Sequence, residues 1–301
     1  MGGMTILITG AKGQLGNELC RILGEGFSER GKLPLLYVGC TVIGVDVDEL
    51  DITDPAAVEA FFKENKPQLV FNCAAMTNVD GCEGNEEAAY KVNALGPKNL
   101  ALACERHGVR LVHVSTDYVF DGLGARPYVE ADVPAPNTAY GRTKLAGERF
   151  VLEGCKDSCI CRTAWLYGYV GNNFVKTMLR LARENGKLIV VDDQVGNPTS
   201  AVDLAWQLVL LAVSKETGVF HCTCNGEAVS WNDFARRIVE DAGLDVPVHS
   251  CTTAEFPRPA RRPAYSALEN KHLRETIGDG MRDWREALDS FLSNYLVQER
   301  Q

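Results

Sequence analysis

The sequence predicts an α/β protein: a doubly wound parallel sheet with a smaller C-terminal substrate-binding lobe. Three observations predict it. An apolar, β-rich run at the N-terminus passes directly into a glycine-rich turn and a helix-like segment. Strand-like and helix-like stretches then alternate through the first half, as a parallel sheet with crossover helices requires. The second half is less regular, and from Pro247 it turns rich in proline and arginine.

Each element has a local reason. Residues 4–9, Met-Thr-Ile-Leu-Ile-Thr, read as a buried first strand. Gly10, Gly13 and Gly16 follow, then a helix-like run over 17–23. A second strand is expected over 40–46. Asp54 and Pro55 read as an N-cap and a first helical position, opening a helix over 56–63. A third strand is expected over 69–74, a helix over 86–106 and a fourth strand over 110–115. Ser200 to Asp203 resembles a capping box at the head of an apolar helix reaching Val213. Residues 218–223 read as a strand, a helix starts at Ser230 and runs through Glu240, and a last helix covers 284–295. The expected division gives 1–168 and 194–224 to a dinucleotide-binding domain, and 169–193 and 225–301 to the substrate lobe.

Composition narrows the function. The chain has 301 residues, 46% apolar and 24% charged, as in an ordinary globular protein. A net charge of −9 argues against non-specific nucleic-acid binding, because phosphate contacts need a basic surface. No apolar stretch is long enough to span a bilayer, and no secretory signal is visible, so a cytoplasmic location and no membrane partner are expected. The 11 cysteines are scattered without Cys-x-x-Cys pairs and read as small apolar residues in a reducing compartment. No metal site is expected from them.

The chemistry rests on three groups. Strand, glycine turn and helix form a dinucleotide cradle: glycines admit a pyrophosphate, and the helix N-terminus offers N–H donors. The spacing is Gly-x-x-Gly-x-x-Gly rather than the commoner Gly-x-Gly-x-x-Gly. Tyr140 and Lys144 lie one helical turn apart, which stacks them on one face. A phenol beside an ammonium is a proton-transfer pair, and Lys144 is expected to lower the tyrosine pKa. Thr116 falls at the carboxyl end of the fourth strand, where it can polarise the same carbonyl that Tyr140 protonates. Alone, each has a bland reading: a βα turn, a chance pair, a strand-end cap. Together they imply hydride transfer from a nicotinamide cofactor with Thr116, Tyr140 and Lys144 as catalytic residues.

These motifs resemble the extended short-chain dehydrogenase/reductase superfamily. The runs ending at Gly16, Asp54, Asp80, Gly122 and Glu148, and those ending at Gly168, Phe174, Thr199 and Ser266, resemble dTDP-4-dehydrorhamnose reductases in order along nearly the whole chain. The resemblance implies a Rossmann-like fold and reduction of the C4 keto group of dTDP-4-dehydro-L-rhamnose by NADH or NADPH. It implies cofactor contacts from Gly10, Gly13, Gln14, Leu15, Gly16, Asp46, Asp51, Ile52, Ala75, Met76, Thr77, Val114, Tyr140 and Lys144. It implies nucleotide-sugar contacts from Thr116, Asp117, Tyr140, Trp165, Asn173 and Arg262. Asp46 favours NADH, because a carboxylate there repels a 2′-phosphate, although Lys12 could meet one. Some relatives bind magnesium through acidic residues at a dimer interface, which leaves a homodimer and Mg open here without a mappable ligand set. Two departures stand out: a long 25–40 segment, read as a surface elaboration, and Met76 where relatives carry an aromatic or histidine. Another sugar-nucleotide reductase or epimerase, or a cofactor-binding regulatory subunit, remains the alternative; the intact Thr116, Tyr140 and Lys144 speak against the last.

Overall fold

A computed structural model describes residues 3–298. Its centre is a six-stranded, wholly parallel sheet. The strands are β1 (Thr5–Thr9), β2 (Thr41–Val45), β3 (Leu69–Asn72), β4 (Arg110–Thr116), β5 (Ser158–Thr163) and β6 (Gly218–His221). Their order across the sheet is β6-β5-β4-β3-β1-β2. The chain steps from β1 outward to β2, then returns to place β3 on the other side of β1. The carboxyl ends of β1 and β3 therefore flank the crevice where such sheets bind ligands.

Alternation along the strands feeds two cores. Ile6, Ile8, Phe71, Val112, Cys159 and Cys161 face one layer, with α1 (Gln14–Glu25) and the helix Ala201–Ala212. Leu7, Val70, Leu111 and Ile160 face the other, with α2 (Pro55–Asn65), α3 (Gly96–His107) and α4 (Ala139–Gly154). A one-residue slip would exchange the faces, so this period fixes register. The cysteines of β5 serve as small apolar residues on one face, and all eleven cysteines are free thiols.

The expected elements are present, with local differences. Asp54 caps α2 by accepting from the N–H groups of Ala56 and Ala57. The helix expected over 86–106 is divided: Glu86–Tyr90 and α3 are joined by a π turn, Lys91–Leu95. Ser200 caps its helix, but Asp203 does not complete a capping box. It turns inward, fully buried, and accepts from Arg30 at 2.8 Å and Arg282 at 2.7 Å. Segment 25–40 is not a loose surface elaboration. It forms a short hairpin, Phe27–Ser28 with Gly31–Lys32, and a 3-10 turn, Leu35–Tyr37. Tyr37 is buried and donates to the Val209 carbonyl at 2.7 Å, so the segment is stapled to helix Ala201–Ala212. Outside the main sheet, Leu188–Val191 pairs in parallel with Val248–Cys251, and the helices Phe174–Asn185 and Trp231–Asp241 lie in the same part of the chain. Among the described residues no helix is long and apolar enough to cross a membrane.

Candidate active site

A cavity of about 760 Å³ opens over the carboxyl ends of the central strands. That is the size range of small-molecule and cofactor sites. Its first end is built by the glycine loop. Gly10 has φ +69°, a left-handed conformation that side chains other than glycine rarely adopt. At Gly16 a Cβ would lie 2.2 Å from the Gly10 carbonyl oxygen, so only glycine lets the loop close onto α1. α1 begins at Gln14 with Gly13 as an N-cap that carries no side-chain acceptor, which leaves its first N–H groups for a ligand. Gly10, Gly13, Gln14, Leu15, Gly16, Asp46, Asp51, Ile52, Ala75, Met76, Thr77 and Val114 all line the cavity. Asp46, just beyond β2, accepts from the Lys12 backbone N–H at 3.1 Å. The Lys12 ammonium points elsewhere, to Asp48 at 3.2 Å and Glu49 at 3.3 Å.

The proton-transfer groups lie deeper. Thr138 caps α4 by accepting the Gly141 N–H at 3.0 Å, and this starts the helix one residue before Tyr140. Tyr140, Lys144, Glu148 and Val151 then fall on its buried face. Burial pushes the Tyr140 phenol well above its usual pKa, while the Thr116 hydroxyl facing it acts in the opposite sense. Lys144 does not offset that burial as expected. Its ammonium donates to the Val114 carbonyl at 2.6 Å and lies 3.5 Å from His113 Nε2. Burial brings its own pKa down to about 8. Thr116 donates to Asp117 Oδ1 at 2.9 Å, and the buried Asp117 carboxyl is pushed up to about 6. Tyr118 meets Tyr140 edge-on, with ring centroids 5.5 Å apart.

At the outer end, Trp165 lines the cavity with φ +47°. Its ring stacks on Trp231, centroids 3.5 Å apart and planes 6° from parallel. Two predicted residues are not part of the lining. Asn173 is buried as the N-cap of helix Phe174–Asn185, and donates to Gly168 at 2.8 Å and to Gln14 Oε1 at 3.1 Å. It braces the glycine loop from behind. Arg262 sits behind Pro263, donating to Asp80 at 2.8 Å and, more weakly, to the Tyr118 hydroxyl at 3.4 Å.

Other residues near the site escaped the sequence reading. Asn93, delivered by the π turn, accepts from the Met76 N–H at 2.8 Å and donates to the Met76 carbonyl at 3.1 Å. It pins the backbone beneath the cavity, while Met76 packs against the small apolar cluster of Cys82, Ala89, Ala139 and Tyr140. Trp231 and His113 were also missed. A π turn has no sequence signature, and an isolated tryptophan or strand histidine reads as ordinary core. Among the described residues no group of three or more His, Cys, Asp or Glu could hold a metal ion.

Comparison with known proteins places the chain in a family. The family described as "RmlD substrate binding domain" matches residues 4–297. A dTDP-4-dehydrorhamnose reductase of Mycobacterium tuberculosis is 43% identical, over 96% of this chain and 92% of its own. A solved dTDP-4-dehydrorhamnose reductase from Clostridium acetobutylicum is 50% identical with a TM-score of 0.91, covering 98% of this chain and 100% of its own. Another from Bacillus anthracis, solved in complex with NADP, is 38% identical with a TM-score of 0.89, over 97% of this chain and 99% of its own. Sequence and fold thus converge, and the chain belongs to the dTDP-4-dehydrorhamnose reductase family.

Proposed function

We propose that this protein reduces the C4 keto group of dTDP-4-dehydro-L-rhamnose to give dTDP-L-rhamnose, with NADH or NADPH as reductant. The observation that carries the reading is the buried Tyr140 phenol facing Thr116 inside the cavity. A buried tyrosine that keeps its proton through the neutral range is ready to give it to a ketone oxygen, as a reductase requires.

The residues present fit a nicotinamide dinucleotide. Gly10, Gly13 and Gly16 form a cradle that a Cβ would fill, and the uncapped start of α1 suits a pyrophosphate. Gln14 and Leu15 follow it. Asp46 would accept from ribose hydroxyls, Asp51 and Ile52 would flank the adenine, and Ala75, Met76, Thr77 and Val114 would line the path inward. Lys144 would hold the nicotinamide ribose. Bound there, the dihydronicotinamide supplies the hydride. Thr116 orients the carbonyl and Tyr140 donates the proton to its oxygen. Asp117 and Trp165 would meet the sugar nucleotide. NADH is favoured: the Asp46 carboxylate is set to repel a 2′-phosphate, and the one basic side chain in the loop, Lys12, is held by two acids. Asn173 and Arg262 act one step back, through Gln14 and through Tyr118. The free thiols suit a reducing cytosol, where we place the reaction.

Purified protein mixed with dTDP-4-dehydro-L-rhamnose and either cofactor tests the reading. Substrate-dependent loss of dihydronicotinamide absorbance is the expected result. No loss with either cofactor overturns it.

A further inference from the structure

Behind Lys144 lies a chain of buried polar groups that the reaction does not explain. Thr9, Asn72 and His113 come from three neighbouring strands, β1, β3 and β4, and all three are buried. Asn72 Oδ1 accepts the Thr9 hydroxyl at 2.7 Å and the Ala74 backbone N–H at 3.2 Å. A backbone N–H can only donate, so it settles which end of the amide is oxygen. The amide NH2 therefore faces His113 Nδ1, at 2.9 Å, and donates to it. An Nδ1 that accepts leaves the proton of a neutral imidazole on Nε2. Nε2 lies 3.5 Å from Lys144 Nζ, so the ring turns an N–H, not a lone pair, toward the lysine.

That orientation matters because Lys144 has so little else. Its side chain is buried, and among the described residues its one close acceptor is the Val114 carbonyl at 2.6 Å. The titratable groups facing it are His113 from β4, Cys73 beyond β3 and Glu148 on its own helix, with Tyr140 one turn earlier on the same face. Glu148 is itself occupied by a two-bond pair with Arg162 of β5, at 2.9 and 2.7 Å. An imidazole lone pair would have stabilised the ammonium; the N–H dipole repels it.

We propose that His113, locked in its Nε2–H tautomer by Asn72 and Thr9, is a positioning residue that sets the pH at which Lys144 loses its charge. The effect has the same sign as burial: both disfavour the ammonium and bring its deprotonation toward neutral pH. Lys144 then keeps its charge on the acid side of that point. Activity that needs the ammonium falls as pH rises through it.

Two measurements test this, and only the second rests on the proposed reaction. The first uses the protein alone, with labelled histidine followed by nitrogen-15 NMR and His113 assigned by its loss in His113→Gln. A neutral ring protonated on Nε2 from about pH 6 to about pH 9 is expected. A ring protonated on Nδ1, or one that titrates in that range, overturns the proposal. The second is the pH profile of kcat/KM. Asn72→Asp keeps the oxygen that Thr9 and Ala74 need but turns a second oxygen toward Nδ1. The tautomer should then swap, and the alkaline limb should move up by roughly one unit or more. His113→Gln, whose amide accepts from Asn72 and points its NH2 at the lysine, should hold the limb within roughly 0.3 unit of the parent. The new carboxylate also raises the lysine pKa by its charge alone, so the shift is read against Asn72→Asp made in a His113→Leu background. A much smaller shift there is expected; a shift of equal size in both backgrounds overturns the proposal.

Discussion

At the glycine-loop end of the cavity, Gly10, Gly13 and Gly16 lie within seven consecutive residues, and the contacts on offer are backbone N–H groups and the side chain of Asp46. At the other end, Thr116, Tyr140, Trp165 and Trp231 come from four separate segments, and the contacts are side chains, with the Tyr140 phenol and the neighbouring Asp117 carboxyl both raised by burial. The first end is a shape that local spacing specifies. The second exists only once β4, α4, β5 and the helix Trp231–Asp241 are packed. Binding energy from the first end is therefore insensitive to the charge states that govern the second.

Substitutions can break or sharpen that contrast. Tyr140→Phe should lower kcat by roughly 10²–10⁴-fold while the cofactor Kd changes little, since the phenol acts only at the chemical end. Near-normal turnover would mean that the proton comes from another group. Lys144→Met should instead damage both ends, lowering kcat and weakening cofactor binding together; titration of dihydronicotinamide fluorescence separates the two. Gly16→Val is the converse case. A side chain driven against the Gly10 carbonyl should cost about 1–3 kcal/mol of stability and most of the cofactor affinity. A variant with parental affinity would show that the loop can open without loss.

Smaller effects should map the sugar end. Trp231→Ala removes the ring stacked on Trp165, and should raise KM for the sugar nucleotide several-fold with the cofactor Kd unchanged. Asp117 supplies a pH signature. Its carboxyl is raised to about 6 by burial, so the folded state binds that proton more tightly than the unfolded chain does. The stability it contributes is present at low pH and is lost as pH rises through about 6. Asp117→Asn should therefore melt higher than the parent at pH 7.5, and the gain should shrink by pH 5. Equal shifts at the two pH values would count against a buried, strained carboxylate.

The contrast also explains what could be read in advance. The glycine loop, the Asp54 cap and the positions of the central strands follow from patterns a few residues long, and they fold as those patterns indicate. Tyr140 and Lys144 do share a helix face, as their spacing demands. What spacing cannot show is where a long side chain ends: Lys144 reaches Val114 and His113, so burial governs Tyr140 instead. Segment 25–40 looked peripheral because the partner of Tyr37 is Val209, 172 residues away. Asn173 and Arg262 were sound choices of chemistry in the right neighbourhood, yet each spends its donors on protein groups. Asn93 depends on a π turn, whose extra residue changes the face it presents without any telltale composition.

The buried carboxylate of Asp203 has a consequence for how the chain is made. Of its two arginines, Arg30 is synthesised first, and Arg282 arrives only 79 residues after Asp203 itself. Until then the growing polypeptide holds a buried negative charge with half its partners, next to a central sheet that is already complete in sequence. Breaking one member from such a cluster is strongly destabilising. A nascent chain stalled before Arg282 should thus be a far better protease target than its complete parallel sheet would suggest, and final locking of the structure waits for Arg282 to emerge.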